Sequence, residues 1–374
     1  MAKKDNFEEE EIGLSPEEMA NATESATDVS KCPACGANLK YSPSDKCLRC
    51  EHCGTKVKID LSKFSEEIDF ATLLDAKKND WAEDTRVFSC NNCGAKEILS
   101  KSEISKKCAF CGTSNVVETN DLSGLKPNAV LPFLIDKDAA SASMVAWAKK
   151  KWFTPGQFKK SVYPEEISGN YTPAFTFDTK TASSYNGRLG KYYYVTVRRN
   201  GKSVTERRTE WFSISGNFNM TFDDVLVQAS NMINQKTADK ISPFGTNNSQ
   251  KYSNEFLHGF SATQYSKDGQ QCWTEARSII QSRVRSAILG QYKHDVVGHL
   301  NINMVCNNIT YKYILLPVYI GHCNYAKKLY NFYVNGQNGK VAGKVPRSVL
   351  KIGAAVLIGL AALGGIIALV VTLL

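Results

Sequence analysis

Cysteine carries the most specific chemistry in this chain. Eight of its twelve cysteines form four C-x2-C pairs, Cys32/Cys35, Cys50/Cys53, Cys90/Cys93 and Cys108/Cys111. The pairs make a duplication. Cys32-Pro33-Ala34-Cys35-Gly36-Ala37 is answered by Cys90-Asn91-Asn92-Cys93-Gly94-Ala95, and Cys50-Glu51-His52-Cys53-Gly54-Thr55 by Cys108-Ala109-Phe110-Cys111-Gly112-Thr113, each cysteine 58 positions on. Both copies read C-x2-C-x14-C-x2-C, just under the usual spacing of four-thiolate zinc sites.

Two residues between thiolates let one tight knuckle turn both sulfurs toward one ion, and the glycine after the second cysteine permits that turn. Two zinc ions are therefore expected, one on Cys32, Cys35, Cys50 and Cys53 and one on Cys90, Cys93, Cys108 and Cys111. Four thiolates fill a tetrahedral ion and leave no place for water or substrate, so both sites are read as structural, and small ribbons need such a metal to fold. Iron is the alternative occupant, and metal analysis separates the two. His52 lies in a knuckle already supplied with sulfur and is read as a surface side chain. Cys47 faces Ser105 in the other copy and is read as a spare thiol.

The second candidate is electrostatic. Arg188, Lys191, Arg198, Arg199, Lys202, Arg207 and Arg208 interleave with Tyr192, Tyr193 and Tyr194 around Asn200-Gly201, a two-residue hairpin turn signal. Aromatics beside arginines can stack on bases or sit at a lipid interface, and a charge run can also be a solvated face. Nucleophile chemistry is weaker. His258, His294, His299 and His322 stand in no recognised catalytic motif. In His322-Cys323, adjacent strand residues point to opposite faces.

The elements that must hold these groups follow a change of composition along 374 residues of net charge +9. Residues 1–30 hold nine acidic side chains against Lys3 and Lys4, a net of −7 that leaves +16 on the remainder; this stretch reads as a disordered acidic tail. No apolar run of a signal peptide follows Met1, and C-x2-C pairing fits a reducing compartment. Zinc ribbons are expected over 31–60 and 87–120, joined by a linker over 61–86. Within it, Phe64, Ile68, Ala71/Thr72 and Leu74 have the spacing of a short helix reaching toward Trp81.

Residues 126–345 read as a basic mixed α/β domain with an antiparallel sheet. A helix follows Asp136 or Asp138 and stops at Thr154-Pro155-Gly156. Strands are expected over Tyr171 to Thr179, Tyr192 to Arg199 and Val204 to Ser213, and a polar loop over 232–256. An amphipathic helix through Trp273, Ala276, Ile280, Val284 and Ala287/Ile288 ends at Gly290. From Val296 the period becomes two, with Leu300, Ile302, Met304 and Cys306 on one face; Tyr311 to Ile320 and Tyr325 to Val334 continue the meander. Ile352 to Leu374 has no charge and no proline. At about 35 Å as a helix it reads as a single C-terminal transmembrane helix, with Lys340, Lys344, Arg347 and Lys351 placing the N-terminal bulk in the cytoplasm. Ala355/Gly359 and Ala361/Gly365 would let two such anchors self-associate.

With these residues in view, the chain resembles a bacterial family of tail-anchored double zinc-ribbon membrane proteins, the TFIIB-type zinc ribbon family. The likeness rests on the paired ribbons, Pro127, Leu131-Pro132-Phe133, Ile135-Asp136, Trp152-Phe153-Thr154-Pro155, and Tyr333-Val334-Asn335-Gly336-Gln337-Asn338-Gly339-Lys340 before Gly343 and Pro346. It covers nearly the whole chain beyond the tail. Departures are Val318-Tyr319 where the family tends to have tryptophan, Asn338 for a usual threonine, and no proline in the second ribbon's first knuckle. The resemblance implies scaffolding at a membrane beside phage-shock-type or flotillin-like (SPFH) proteins. The expected function is a non-enzymatic, membrane-anchored adaptor recruiting a protein partner, with anionic lipid as a further contact of the basic surface. The alternative is a membrane-tethered nucleic-acid-binding protein, and a third reading is an enzyme of unknown reaction.

Overall fold

Strand pairing dominates the fold, because long Ser-, Thr- and Asn-rich stretches put an apolar or small residue at every second position. The structure is a computed structural model that describes residues 31–75, 85–101, 105, 107–119, 125–162 and 167–373, with side chains of the last helix described as far as Gly365. The acidic tail, and the linker around Trp81, lie outside the described residues.

The first ribbon is a small antiparallel sheet of β1 (Leu39–Ser42), β2 (Cys47–Cys50) and β3 (Lys56–Lys58). The linker forms β4 (Ile68–Asp69) and a short helix α1 (Phe70–Asp75). Ile68 therefore belongs to a strand, paired with Tyr311, rather than to the expected helix. The second ribbon supplies β5 (Thr85–Cys90), β6 (Lys96–Ser100) and β7 (Val116–Thr119), which join a twelve-stranded sheet instead of standing apart.

In the body, β8 (Ala129–Val130) leads into α2 (Lys137–Lys149), capped by Asp136, whose Oδ1 accepts from Ala139 N at 2.8 Å. Asp136, not Asp138, is thus the cap. A short helix α3 (Gly156–Lys160) follows. Two long strands come next, β9 (Ile167–Arg199) and β10 (Lys202–Gln228), joined at Asn200 and Gly201, both with positive φ as a two-residue hairpin turn demands. The segment expected to be a polar loop instead holds helix α4 (Gln235–Ile241) and the short strand β11 (Gln250–Lys251), anchored by buried Ile233, Ile241, Phe244 and Phe256. Beyond β12 (Ser261–Thr263) lies α5 (Gly269–Gly290), opened by a capping box between Asp268 and Gln271. It buries Ala276, Ile280, Val284 and Ile288 as their spacing predicts, but the stripe opens at buried Cys272, with the expected Trp273 only half-buried beside it. Strand β13 (Val296–Tyr325) runs through a bulge between Asn307 and Thr310 that merges two expected strands into one. The chain finishes with β14 (Lys328–Asn335), β15 (Val341–Gly343) and α6 (Val349–Leu373).

Two expectations are corrected. The body is not an even α/β mixture but mostly β. Its large mixed sheet is centred on β9 and β13, with parallel pairing among the described residues only of β12 to β9 and of β8 to β13. Stretches such as Lys180–Ser184 look like loop by composition, yet they pair on both edges because their odd positions pack under α5.

The second correction concerns the C-terminus. Among the described residues no helix is long and apolar enough to cross a membrane. The single-pass C-terminal anchor, the cell-membrane localisation drawn from it and anchor self-association are overturned with that finding. The helix begins at the body, where Ser348 N donates to Phe153 O at 2.7 Å and Lys351 Nζ to Thr154 O at 2.8 Å.

Three cores hold the layers. The first joins the first ribbon's Leu39, Tyr41 and Leu48 to Phe133, Tyr171, Phe256, Phe260 and α2. The second lies between α5 and the β9/β10/β13 sheet. The third joins the second ribbon's Ala95, Ala109 and Phe110 to Leu131, Ala174 and Ile314.

Candidate metal centres and the basic arm

The four cysteine turns fold alike. In each, the first cysteine's N–H donates to the carbonyl five residues on, its carbonyl accepts from the glycine four residues on, and that glycine takes a positive φ: 71° at Gly36, 79° at Gly54, 74° at Gly94 and 70° at Gly112. A left-handed backbone there is what glycine permits at no steric cost. The turns bring Cys32, Cys35, Cys50 and Cys53 together, and Cys90, Cys93, Cys108 and Cys111, all Sγ atoms of a set within 4.8 Å of one another. Cys32 Sγ lies 3.5 Å from Cys53 Sγ, and Cys90 Sγ 3.6 Å from Cys111 Sγ. Disulfide sulfurs would sit at ~2.05 Å, whereas a tetrahedral ion with ~2.3 Å bonds to sulfur spaces them by about 3.8 Å. The donor sets fit two metal ions. His52 is exposed and outside the set, and Cys47 is buried beside it.

The two centres differ in surroundings. At the first, Cys35 and Cys53 are exposed, and the Thr55 hydroxyl, 3.1 Å from Cys53 Sγ, with the Thr55 N–H pulls that thiol down to about 6. At the second, buried Glu97 accepts from Ala109 N at 2.7 Å, and burial pushes its carboxyl above the ordinary range. The His322 ring lies on Gly112, where a Cβ would meet Nε2 at 2.0 Å, so only glycine fits. His322 thus braces a knuckle, and Cys323 enters the first core on the other face of β13. The pair faces apart, as strand alternation requires.

The residues of the Tyr333 to Lys340 motif form a structural clasp. Buried Asn335 donates from Nδ2 to Ile241 O at 2.9 Å and Pro243 O at 3.1 Å, and Gly336 O accepts from Leu134 N and Ile135 N. The motif thereby ties two separate segments to one turn.

All seven residues of the basic hairpin, Arg188, Lys191, Arg198, Arg199, Lys202, Arg207 and Arg208, are exposed. β13 supports β9 only as far as the Val296–Gly190 pair, so from Lys191 to Glu210 the hairpin continues as a two-stranded arm of nine pairs, about 30 Å long at ~3.3 Å per residue. Arg188 lies 5.4 Å from the Trp211 ring centroid and Arg207 4.3 Å from that of Tyr192.

Sequence reading missed one cluster. Glu67, Asp178 and Asp223 bring carboxylate oxygens within 4.8 Å of one another at paired bulges in β10 and β13. Lys312 Nζ lies 2.9 Å from Asp224 Oδ1, an ion pair off hydrogen-bond alignment, and 3.6 Å from Glu67 Oε1. Burial and the neighbouring Glu67 carboxylate push the Asp178 carboxyl up to about 8. Against the opposing effect of its own burial, hydrogen bonds from Asp178 and Thr310 hold Glu67 below its usual range. These residues are far apart in sequence and share no motif; the one local signal was the Asp223-Asp224 doublet in a strand. An open cleft between α5 and β13 is lined by Ser278, Gln281, Ser282, Arg285, Leu300 and Ile302.

Comparison with known proteins adds one relative. The chain is 27% identical over 330 residues to the uncharacterized protein YdjG of Bacillus subtilis, covering 87% of this chain and 92% of the relative. No family model matches, and no solved structure matches.

Proposed function

We propose that this chain is a non-enzymatic binding scaffold, a β-body stapled by two zinc ions that holds out the β9/β10 arm to engage a macromolecular partner. One observation carries the reading: the hairpin runs nine pairs beyond its last contact with β13, with six basic side chains against Glu206 and Glu210. A two-stranded hairpin without a third strand contributes little stability of its own, and no buried core residue lies between Lys191 and Glu210. The arm is therefore dispensable to the fold and available to a partner. Zinc is favoured at the centres because closed four-thiolate sets suit a redox-inert tetrahedral ion.

The adaptor role, with a protein partner of the SPFH or phage-shock class, fits this scaffold with recruitment on the arm rather than on the ribbons, whose Leu39, Tyr41, Leu48, Ala95, Ala109 and Phe110 are committed to the cores. The test replaces residues 193–208 by a two-residue Asn-Gly turn. Protein and nuclease-sensitive material co-purifying with the full chain should be lost, while metal content and melting temperature stay unchanged. An undiminished partner set on the shortened chain defeats the proposal.

A further inference from the structure

Strand register divides the arm and its base into two unlike faces. On β9 between Lys180 and Arg198, odd positions face α5: Tyr185 and Leu189 are buried there, with Ile214 opposite. Farther out, the same face carries both glutamates, and Glu206 lies 3.7 Å from Arg199 and from Arg208. The even positions and their partners form the other face. It holds Lys180, Arg188, Arg198, Arg207 and His299, with Tyr192, Tyr194, Trp211 and a field of Asn, Ser and Thr, and not one carboxylate. The nearest acids border it. Asp295 Oδ2 accepts from Tyr192 N at the strand edge, and Asp178 lies beyond Lys180 in the carboxylate cluster.

The aromatics on this face are presented rather than packed away. Trp211 lies across Gly190 and Gly298: a Cβ at Gly298 would meet its Cζ3 at 2.8 Å, and one at Gly190 would meet its Cε3 at 3.2 Å. Glycine at both positions is what lets the indole lie on bare backbone, still 40% exposed. Tyr194 is 68% exposed, and Arg207 and Arg188 sit over the neighbouring rings. Beside them, Asn301 Nδ2 donates to Asn186 Oδ1 at 3.3 Å, at the edge of a row of exposed amides.

We infer that this carboxylate-free face binds single-stranded nucleic acid, an assignment that rests on the scaffold reading and names its partner. Cations without competing acids attract a polyanion and make binding salt-dependent. The aromatics decide its form. A flat exposed ring can stack only on a base whose face is free, and duplex bases are already stacked on one another. The amides can then meet base edges. An acidic protein segment would use the charge but would leave Trp211 and Tyr194 without a role.

The test is fluorescence anisotropy of the full-length chain with a labelled oligothymidine of about 15 nucleotides, on the order of one module's site size. The same length as duplex, and polyglutamate as competitor, complete the set. The single strand should bind more tightly than the duplex at equal salt, and polyglutamate should displace it poorly. Tyr194→Ala, at a side chain outside every core, should weaken single-strand binding about 5- to 100-fold with duplex binding unchanged. Arg207→Ala should reduce the salt slope by about one unit. Equal duplex affinity, efficient displacement by polyglutamate, or an unaffected Tyr194→Ala variant overturns the inference. Absence of oligonucleotide binding at low salt also overturns it and leaves the scaffold reading to its own co-purification test.

Discussion

The ribbons and the arm sit in one chain yet hold together on different terms. In the ribbons, every cysteine turn is set by knuckle hydrogen bonds and a left-handed glycine, and Leu39, Tyr41, Leu48, Ala95, Ala109 and Phe110 enter cores shared with the body. In the arm, nine strand pairs stand on cross-strand contacts, with one bond from Tyr192 N to Asp295 at the base, and the basic side chains face water. Closed metal sets and shared cores make a region that cannot change without the fold changing. A two-stranded extension without a third strand can change freely. Specificity of chemistry and availability for binding have been separated, so the motif that is easiest to recognise is the one least free to meet a partner.

That contrast can be broken most forcefully at the second metal centre. Cys108→Ser removes a buried ligand in a turn whose strands belong to the main sheet. Structural zinc contributes on the order of 10 kcal/mol of coupled folding energy in small domains, so loss of one metal per chain and loss of the cooperative thermal transition are expected. Cys35→Ser, at an exposed ligand of the first ribbon, should lose one metal and keep the main transition. Metal analysis beside calorimetry checks both.

A smaller effect is expected at the carboxylate cluster, which ties the linker to β13. Lys312→Met leaves Asp224 and Glu67 facing each other without their cation. Breaking such a buried pair costs about 3 kcal/mol, readable as a lower urea midpoint with the arm's ligand affinity unchanged. The smallest effect is one of pH. Asp178 keeps its proton up to about 8 in the folded chain but ionises near ~3.9 when unfolded. The folded state therefore binds the extra proton between those values, and stability from this group falls as pH rises from about 4 to about 8. Glu67, held low, acts in the opposite sense at the acid end. Asp178→Asn should flatten the decline, and urea midpoints taken at about pH 5 and about pH 8 show whether it does.

Legibility in the sequence followed the same division. The sulfur sites were readable because ligand spacing is imposed by coordination chemistry over a few residues. Asn200-Gly201 announced its turn because both positions need positive φ, and α5 showed its buried stripe at Ala276, Ile280, Val284 and Ile288. Long-range pairing was not readable. Ser183 and Thr181 look like loop residues until α5 covers them, and Ile233, Ile241 and Phe244 are too sparse to announce a packed insertion. Glu67, Asp178 and Asp223 meet only through strand register and two bulges, which no local pattern encodes. The terminal apolar run read as a span by its length, its lack of charge and the basic residues before it, and that reading is overturned among the described residues.

Native-state hydrogen exchange of the full-length chain, with and without a chelator, tests the central claim most directly. Protection reports local opening segment by segment. Metal removal should release the amides of both ribbons and of β12, which joins β6 to β9, while exchange from Lys191 to Glu210 stays as it was. Ribbon amides that remain protected without metal, or arm amides that change with it, would contradict the account of a stapled body carrying an independent arm.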